Sequence, residues 1–454
     1  MQQKPFWIQS EQPIFPMLRG RRNADAVVIG GGLSGLTTAL WLCKSGLRVA
    51  LLEARTLGSG ASARCGGMVS LTGGLLYDRL EQKMGQAVVN AYAQTQQSAL
   101  QALRELAREQ GAASDWRDID AWLVAEGQKD GNALEREAEA MRRAGVSAAL
   151  VQPTHCPLPA SQAILLKDMA TLQPVRYLRH VARQAEALGL KIFEQSRVTA
   201  LETNLAYTER GSVLAPYLVV ATGYPVVNTP GWYFMRLTQR QSYLMPLEAN
   251  ATFDGMYLDA HERYALRKLR EGMLFQLNDG RVGAPGRMEP EERFLSGYAP
   301  YLEGAAPSRI YGGIDTYSAD GLPYIGAYSK KTPNLFVASG YGGRGLIGSM
   351  VAAQAISAKI LGLPGEGYAV YSGQRHGGVF SDDAKISVSI AGKYLKGMLR
   401  VHAPRCPHMG CKLVYRPKTR IWECPCHGSR FDDIGHVLNA PAIHDAPVRH
   451  RKKG

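Results

Sequence analysis

Residues 26–53 read AVVIGGGLSGLTTALWLCKSGLRVALLE, and this stretch decides the fold class. Ala26 to Ile29 are four apolar residues, a short buried-strand signal that breaks at once into glycine. Gly30, Gly32 and Gly35 then satisfy the pattern G-x-G-x-x-G. The first two glycines allow a tight turn and a close approach of backbone to a pyrophosphate, and Gly35 lets the following helix pack on the strand. The positive end of that helix faces the phosphates. Ala39, Leu42, Gly46 and Val49 follow at fitting spacings, and Glu53 ends the second strand, 23 residues after Gly30. A carboxylate there accepts from ribose hydroxyls and repels a 2′-phosphate. NAD and FAD share this fingerprint, so the motif alone leaves the nucleotide open.

Around it lies a chain of 454 residues, 45% hydrophobic and 20% charged. That balance supplies a core for about three structural units and excludes a disordered tail, a collagen-like chain and a disulfide miniprotein. The net charge is +14, but Lys and Arg are scattered, with one dense run at Arg449, His450, Arg451, Lys452 and Lys453. No basic stripe interleaved with aromatics is present, so no nucleic-acid partner is expected; a cationic surface suits an acidic redox partner. The best membrane candidate, residues 26–43, carries four glycines and ends at Lys44, which favours strand, turn and helix over a span. Residues 1–22 are polar, hold three prolines and read as no export signal. The expected location is cytoplasmic, without a membrane span.

Further segments favour FAD. Residues 58–67 read GSGASARCGG directly after the second strand, and residues 218–223 read LVVATG, a strand ending in an Ala-Thr-Gly turn, with Arg197-Val198 upstream. These stretches resemble the flavoproteins of the D-amino-acid oxidase superfamily, which share a glutathione-reductase-like nucleotide fold. The resemblance implies an α/β FAD-binding Rossmann unit with an α+β substrate domain inserted twice. It assigns the cofactor to Gly30, Gly32, Leu33, Ser34, Gly35, Glu53, Ala54, Arg55, Ala61, Ser62, Arg64, Cys65, Val198, Thr222, Gly223, Gly343, Gly345 and Leu346. Cys65 falls in the phosphate loop; packing is the expected role there, with a covalent flavin link as the alternative. Nothing nearby in sequence marks its thiol as activated.

Residues 84–110, 133–144 and 177–188 are amphipathic and read as helices, whereas residues 232–301 are rich in strand-forming and aromatic residues. Residues 313–326 and 334–346 resemble the superfamily's penultimate and last strands and their turns. A helix is expected over 346–361, its N-terminus aimed at the flavin pyrimidine ring. Two departures bear on substrate. Glycine oxidase and its relatives bind a substrate carboxylate with an Arg near the start of the penultimate strand, and here Asp315 stands there. A second family Arg aligns with Gly343, beside Arg344. A carboxylate at that place points to a cationic amine substrate, unless Asp315 pairs with a structural Arg. Tyr341, Tyr317, Arg344 and Asp315 are the candidate pocket residues.

Four of the seven cysteines fall inside 21 residues: Cys406-Pro407-His408-Met409-Gly410-Cys411, then Cys424-Pro425-Cys426-His427-Gly428-Ser429. Residues 412–423 alternate like a hairpin that brings the two loops together. Two thiolates on one iron and two imidazoles on the other make a Rieske [2Fe–2S] arrangement; a structural zinc site is the alternative. The motif resembles the Rieske family. The resemblance assigns Cys406, His408, Cys424 and His427 as iron ligands and Cys411 and Cys426 to a disulfide between the loops. Respiratory members place a Tyr two residues after the Ser, where this chain has Phe431, so fewer hydrogen bonds stabilise the reduced cluster and a lower potential is expected.

The expected organisation is therefore an FAD-dependent oxidoreductase over 1–372, a linker at 373–383 and a small all-β Rieske domain over 384–454. Its nucleotide-binding parts are expected at about 24–75, 160–225 and 310–372, and its substrate-domain parts at about 76–159 and 226–309. The expected activity is oxidation of an amine C–N bond by hydride transfer to flavin. The resulting imine hydrolyses, and electrons are relayed to the cluster and on to an external acceptor, as in a dehydrogenase rather than an oxidase. The alternatives are a flavoprotein fed through the cluster by an external donor, and a non-catalytic electron-transfer subunit.

Overall fold

The computed structural model describes residues 6–7, 15–109, 114–228, 230–249, 253–283, 288–375, 392 and 403–448. Most of the expected linker at 373–383, the start of the expected Rieske domain and the basic run at 449–453 lie outside the described residues.

The motif at 26–53 folds as its spacing predicts: strand Ala26–Ile29, helix Leu33–Lys44, strand Val49–Leu52. These strands are central in a sheet of six, ordered Tyr324–Ser329, Thr332–Ser339, Tyr217–Gly223, Ala26–Ile29, Val49–Leu52, Lys191–Phe193. Every neighbour pair is parallel except the hairpin Tyr324–Ser329/Thr332–Ser339 at one edge. Both faces are covered, so the strands are apolar throughout instead of alternating. Ala26 and Val28 pack with Leu36, Leu40, Met350 and Val351 from the helices Leu33–Lys44 and Gly345–Ile360. Val27 and Ile29 face the other way, onto Val198, Ala206 and Val213. Those residues belong to a four-stranded sheet, Gly20–Asn23, Gly211–Leu214, Leu205–Thr208, Val198–Glu202.

A second large sheet has nine strands among the described residues. It runs from Tyr311–Ser318 through Leu237–Leu247, Met273–Arg281, Tyr264–Lys268 and Met256–Asp259 to Arg117–Ala125, Gln162–Thr171 and Met68–Val69, with Ala149–Val151 on the side. Three of these strands differ from expectation. Met68–Val69, Gln162–Thr171 and Tyr311–Ser318, expected in the nucleotide-binding parts, pair with Gln162–Thr171, Arg117–Ala125 and Leu237–Leu247 respectively. Pairing partners, not local pattern, decide the sheet to which an apolar strand belongs. The amphipathic helices run Gln86–Arg108, Gln128–Arg143 and Pro174–Ala187.

After helix Gly345–Ile360 the chain is pinned by Arg375. Its Nε and Nη2 donate to the Asp320 carboxylate at 2.6 and 2.9 Å, and its guanidinium stacks on Tyr324, 4.1 Å from the ring centroid. Residues 403–448 form a separate four-stranded antiparallel sheet, Val414–Arg416, Ile421–Glu423, Arg430–Phe431, Val437–Asn439. The first pair is the hairpin expected between the two cysteine loops. All four cysteines of the motif are buried with Leu413, Phe431, Val437 and Ala442.

Candidate cofactor and substrate sites

The glycine turn is built for close approach. Gly30 has φ +110°, and a Cβ there would strike the Ala221 carbonyl; one on Gly35 would strike the Gly30 carbonyl. Glu53 sits at the rim, with Oε2 accepting the Gly31 N–H at 2.7 Å and Oε1 the Arg55 N–H at 2.8 Å. Ser62 of the phosphate loop accepts the Leu33 N–H at 3.0 Å, which ties that loop to the helix N-terminus.

These groups line one cavity that opens to solvent. It runs from Glu53, Arg55 and Arg197 past Thr222 and Gly343 to Asp315 and Tyr317. Every cofactor residue expected from sequence lines it except Gly35, which sits behind, between helix and strand. A glycine floor, a carboxylate at one end and a helix N-terminus midway fit a dinucleotide flavin. Cys65 also lines the cavity; burial pushes its thiol up to about 11, which keeps it protonated and suits packing.

All four candidate pocket residues line the far end. Tyr341 shares a 2.5 Å hydrogen bond with Ser34, so its hydroxyl is occupied. Arg344 donates to the carbonyls of Gly321 at 2.8 Å and Gly73 at 3.4 Å and lies 3.8 Å from Glu262. Arg240 lies over the Tyr317 ring, 4.3 Å from its centroid, and pairs with Glu262 at 3.3 Å. The described residues place no ion pair and no hydrogen bond on the Asp315 carboxylate. Burial pushes it up to about 6, opposed by the charge of Arg344. A second cavity of about 1000 Å³ shares Asp315, Tyr317, Glu262, Gln276 and Asn278 with the first and adds Arg240, His261 and Arg293.

In the C-terminal module the two loops converge. The His408 and His427 rings are 4.9 Å apart between centroids and nearly perpendicular, at 85°. Cys424 N donates to Ser429 O and Cys406 N to Cys411 O, both at 2.8 Å. The thiols of Cys406 and Cys424 are hydrogen-bonded. Cys411, Cys424 and Cys426 have their sulfurs within 4.8 Å of one another, with no bond between Cys411 and Cys426. Burial lowers His408 to about 4, so its imidazole is neutral. Its Nδ1 is buried with no hydrogen-bond partner, while its Nε2 lies 2.7 Å from Asn228 Oδ1. Of the clustered sulfurs only Cys424 belongs to the ligand set that the resemblance implies; Cys406, His408 and His427 lie outside that group, and the convergence of two cysteine loops with paired imidazoles is what fits a metal centre with mixed ligands.

Sequence reasoning missed that this module walls the flavin cavity. Val437, Leu438, Asn439, Ala440, Ala442 and Ile443 all line it. Arg55 Nη1 donates to Leu438 O at 3.2 Å, and Arg281 Nη2 to Cys426 O at 3.0 Å. Tyr224 also lines the cavity; its buried hydroxyl has no hydrogen-bond partner among the described residues, and charge on Cys424 raises its pKa further. Partners 145 to 383 residues apart leave no signal in local sequence.

Comparison with known proteins finds two families in the chain. The family model for FAD dependent oxidoreductases (DAO) matches residues 25–359, and that for the Rieske [2Fe-2S] domain matches residues 364–449. YhfW of Bacillus subtilis (strain 168), provisionally named a Rieske 2Fe-2S iron-sulfur protein, is 24% identical over 96% of each chain. Gamma-glutamylputrescine oxidoreductase of Escherichia coli (strain K12) is 26% identical over 46% of this chain and 50% of its own. Glycine oxidase from Geobacillus kaustophilus superposes with a TM-score of 0.66 at 19% identity, covering 78% of this chain and 99% of its own. No helix among the described residues is long and apolar enough to cross a membrane. The chain belongs to the FAD dependent oxidoreductase (DAO) family, and it carries a Rieske domain for a [2Fe-2S] cluster beside its FAD site.

Proposed function

We propose that the protein is a dehydrogenase that oxidises the C–N bond of a cationic amine and passes the electrons through its cluster to an external acceptor. The observation that carries the substrate class is Asp315: a carboxylate without a partner at the flavin-cavity end, where glycine oxidase and its relatives present an Arg. Arg344, whose charge opposes the rise in the Asp315 pKa, forms no ion pair with it among the described residues; it donates to the Gly321 and Gly73 carbonyls and lies 3.8 Å from Glu262. The amine class also accords with the name of the gamma-glutamylputrescine relative.

When bound, the flavin supplies a hydride acceptor and the cluster a one-electron acceptor. The chain supplies position and charge. Asp315 holds the ammonium and orients the adjacent C–H toward the cavity. Tyr317 and Tyr264 wall that end, and Gln276 and Asn278 offer amides to further polar groups of the substrate. The bound ammonium must first give a proton to water; loss of hydride from the adjacent carbon of the neutral amine then leaves a protonated imine, which water hydrolyses to a carbonyl compound and ammonia or an amine. The segment 437–443 closes the opposite wall and excludes water there.

Anaerobic addition of simple diamines and monoamines to the purified protein tests this. The expected result is loss of flavin absorbance followed by the electron paramagnetic resonance of a reduced Rieske centre. A cluster that reduces only with an external reductant, or turnover confined to α-amino acids, overturns the reading.

A further inference from the structure

The loop that leaves the flavin cavity is the same loop that meets the cluster. Thr222, Gly223, Tyr224 and Val226 line the cavity, and Asn228 follows two residues later. Asn228 Oδ1 lies 2.7 Å from His408 Nε2. Phe234, further along, presents its ring edge-on to both cluster imidazoles, with centroids 6.2 Å from His408 and 5.8 Å from His427. Phe234 is only 7% exposed.

The described residues of this loop are tied by hydrogen bonds. Val227 O accepts the Tyr328 hydroxyl at 2.6 Å, and Asn228 O accepts the Trp232 N–H at 3.2 Å. Gly231 O accepts from Arg236 at 2.7 Å, whose guanidinium lies between the rings of Tyr233 and Tyr324. A side chain fixed in this way dictates which imidazole nitrogen is engaged. With the Asn228 oxygen as acceptor, His408 would carry its proton on Nε2 and keep Nδ1, the nitrogen without a hydrogen-bond partner among the described residues, for iron.

We propose that Asn228 is a positioning residue of the cluster: it fixes the tautomer and orientation of His408 and, with Phe234, makes the imidazole edge the face through which flavin and cluster exchange electrons. The inference rests on the reading that the two cofactors exchange electrons within the chain. Each transfer moves one electron from reduced flavin to the oxidised cluster.

The test uses the full chain loaded with both cofactors, with the flavin reduced anaerobically by light and EDTA so that no amine is needed. In Asn228→Leu, with iron content intact, the g values of the reduced cluster shift, its midpoint potential moves, and cluster reduction by flavin slows about tenfold or more, the usual penalty for losing a partner of a metal ligand. Asn228→Asp keeps the acceptor oxygen and retains the rate. Should Asn228→Leu lose iron, Asn228→Ser removes the contact with less bulk and the same shifts are expected. Unchanged g values, potential and rate in the iron-loaded variants overturn the proposal. If the unsubstituted protein passes no electrons from flavin to cluster, the electron-relay reading fails; the g values and potentials of dithionite-reduced variants still decide whether Asn228 positions His408.

Discussion

Gln239 and Asn439 join the two halves of the molecule: Asn439 Nδ2 donates to Gln239 Oε1 at 2.9 Å, and Gln239 Nε2 donates to the neighbouring Ala440 O at 3.1 Å. Gln239 is buried, while its partners are half-buried. Replacing it by Leu removes both bonds, each worth about 0.5–1.5 kcal/mol, while Asn439 Nδ2 keeps its bond to Ala440 O at 2.9 Å. Gln239→Leu is expected to loosen the module and release FAD at lower denaturant concentration, read by flavin fluorescence. An unchanged release midpoint would show that the contact does not secure the interface.

Asp315 sets a second expectation. Hydrogen bonds to charged groups are worth about 1.5–3 kcal/mol, so Asp315→Asn should lower kcat/KM for a cationic amine by roughly 10- to 100-fold with FAD content unchanged. A loss of FAD in place of lost turnover would move Asp315 out of the substrate site.

The same carboxyl predicts a pH profile. Its pKa stands above the ordinary value, at about 6, because burial disfavours the charge. The ionised form binds a cation, so kcat/KM is expected to fall as pH drops through about 6. For stability the sign is opposite: a raised carboxyl pKa favours the folded state at low pH, and that contribution is lost as pH rises through the shifted value. A profile of kcat/KM flat from pH 5 to 7 contradicts an ionised Asp315 as the binding group.

Phe431 supplies a fourth. It is fully buried in the module beside the cluster cysteines. Phe431→Tyr adds a donor where hydrogen bonds stabilise the reduced centre, so the midpoint potential should rise in a spectroelectrochemical titration. A potential that stays or falls argues that the hydroxyl does not reach a cluster sulfur.

The glycine turn offers the sharpest structural check. Gly35→Ala places a methyl against the Gly30 carbonyl, where rigid backbone cannot yield. The expected cost is about 1–3 kcal/mol of stability together with loss of FAD. Normal flavin content after this change would mean that the helix has room to move off the strand.

Much of this architecture was legible because its signals are local. The glycines at 30, 32 and 35, Glu53 and the Cys-x-His pairs at 406–408 and 424–427 each mark chemistry through spacing within one loop. The sheet to which Gln162–Thr171 and Tyr311–Ser318 belong was not legible, since an apolar strand looks alike whichever neighbour it meets. Nor was the meeting of Asn228 with His408, 180 residues away, because a lone polar residue in a loop carries no mark of its partner. Asp315 sits between these cases: its unusual residue type was readable in sequence, but its lack of a counter-ion required the structure.

Because Leu438, Asn439 and Ala440 complete the pocket that holds the nucleotide, the iron-bearing module doubles as a lid on a site it does not chemically own. Synthesis under iron starvation would then yield a polypeptide whose vitamin-derived cofactor is held on one side only. Shortage of one nutrient would be felt as poor retention of another, before any substrate is encountered.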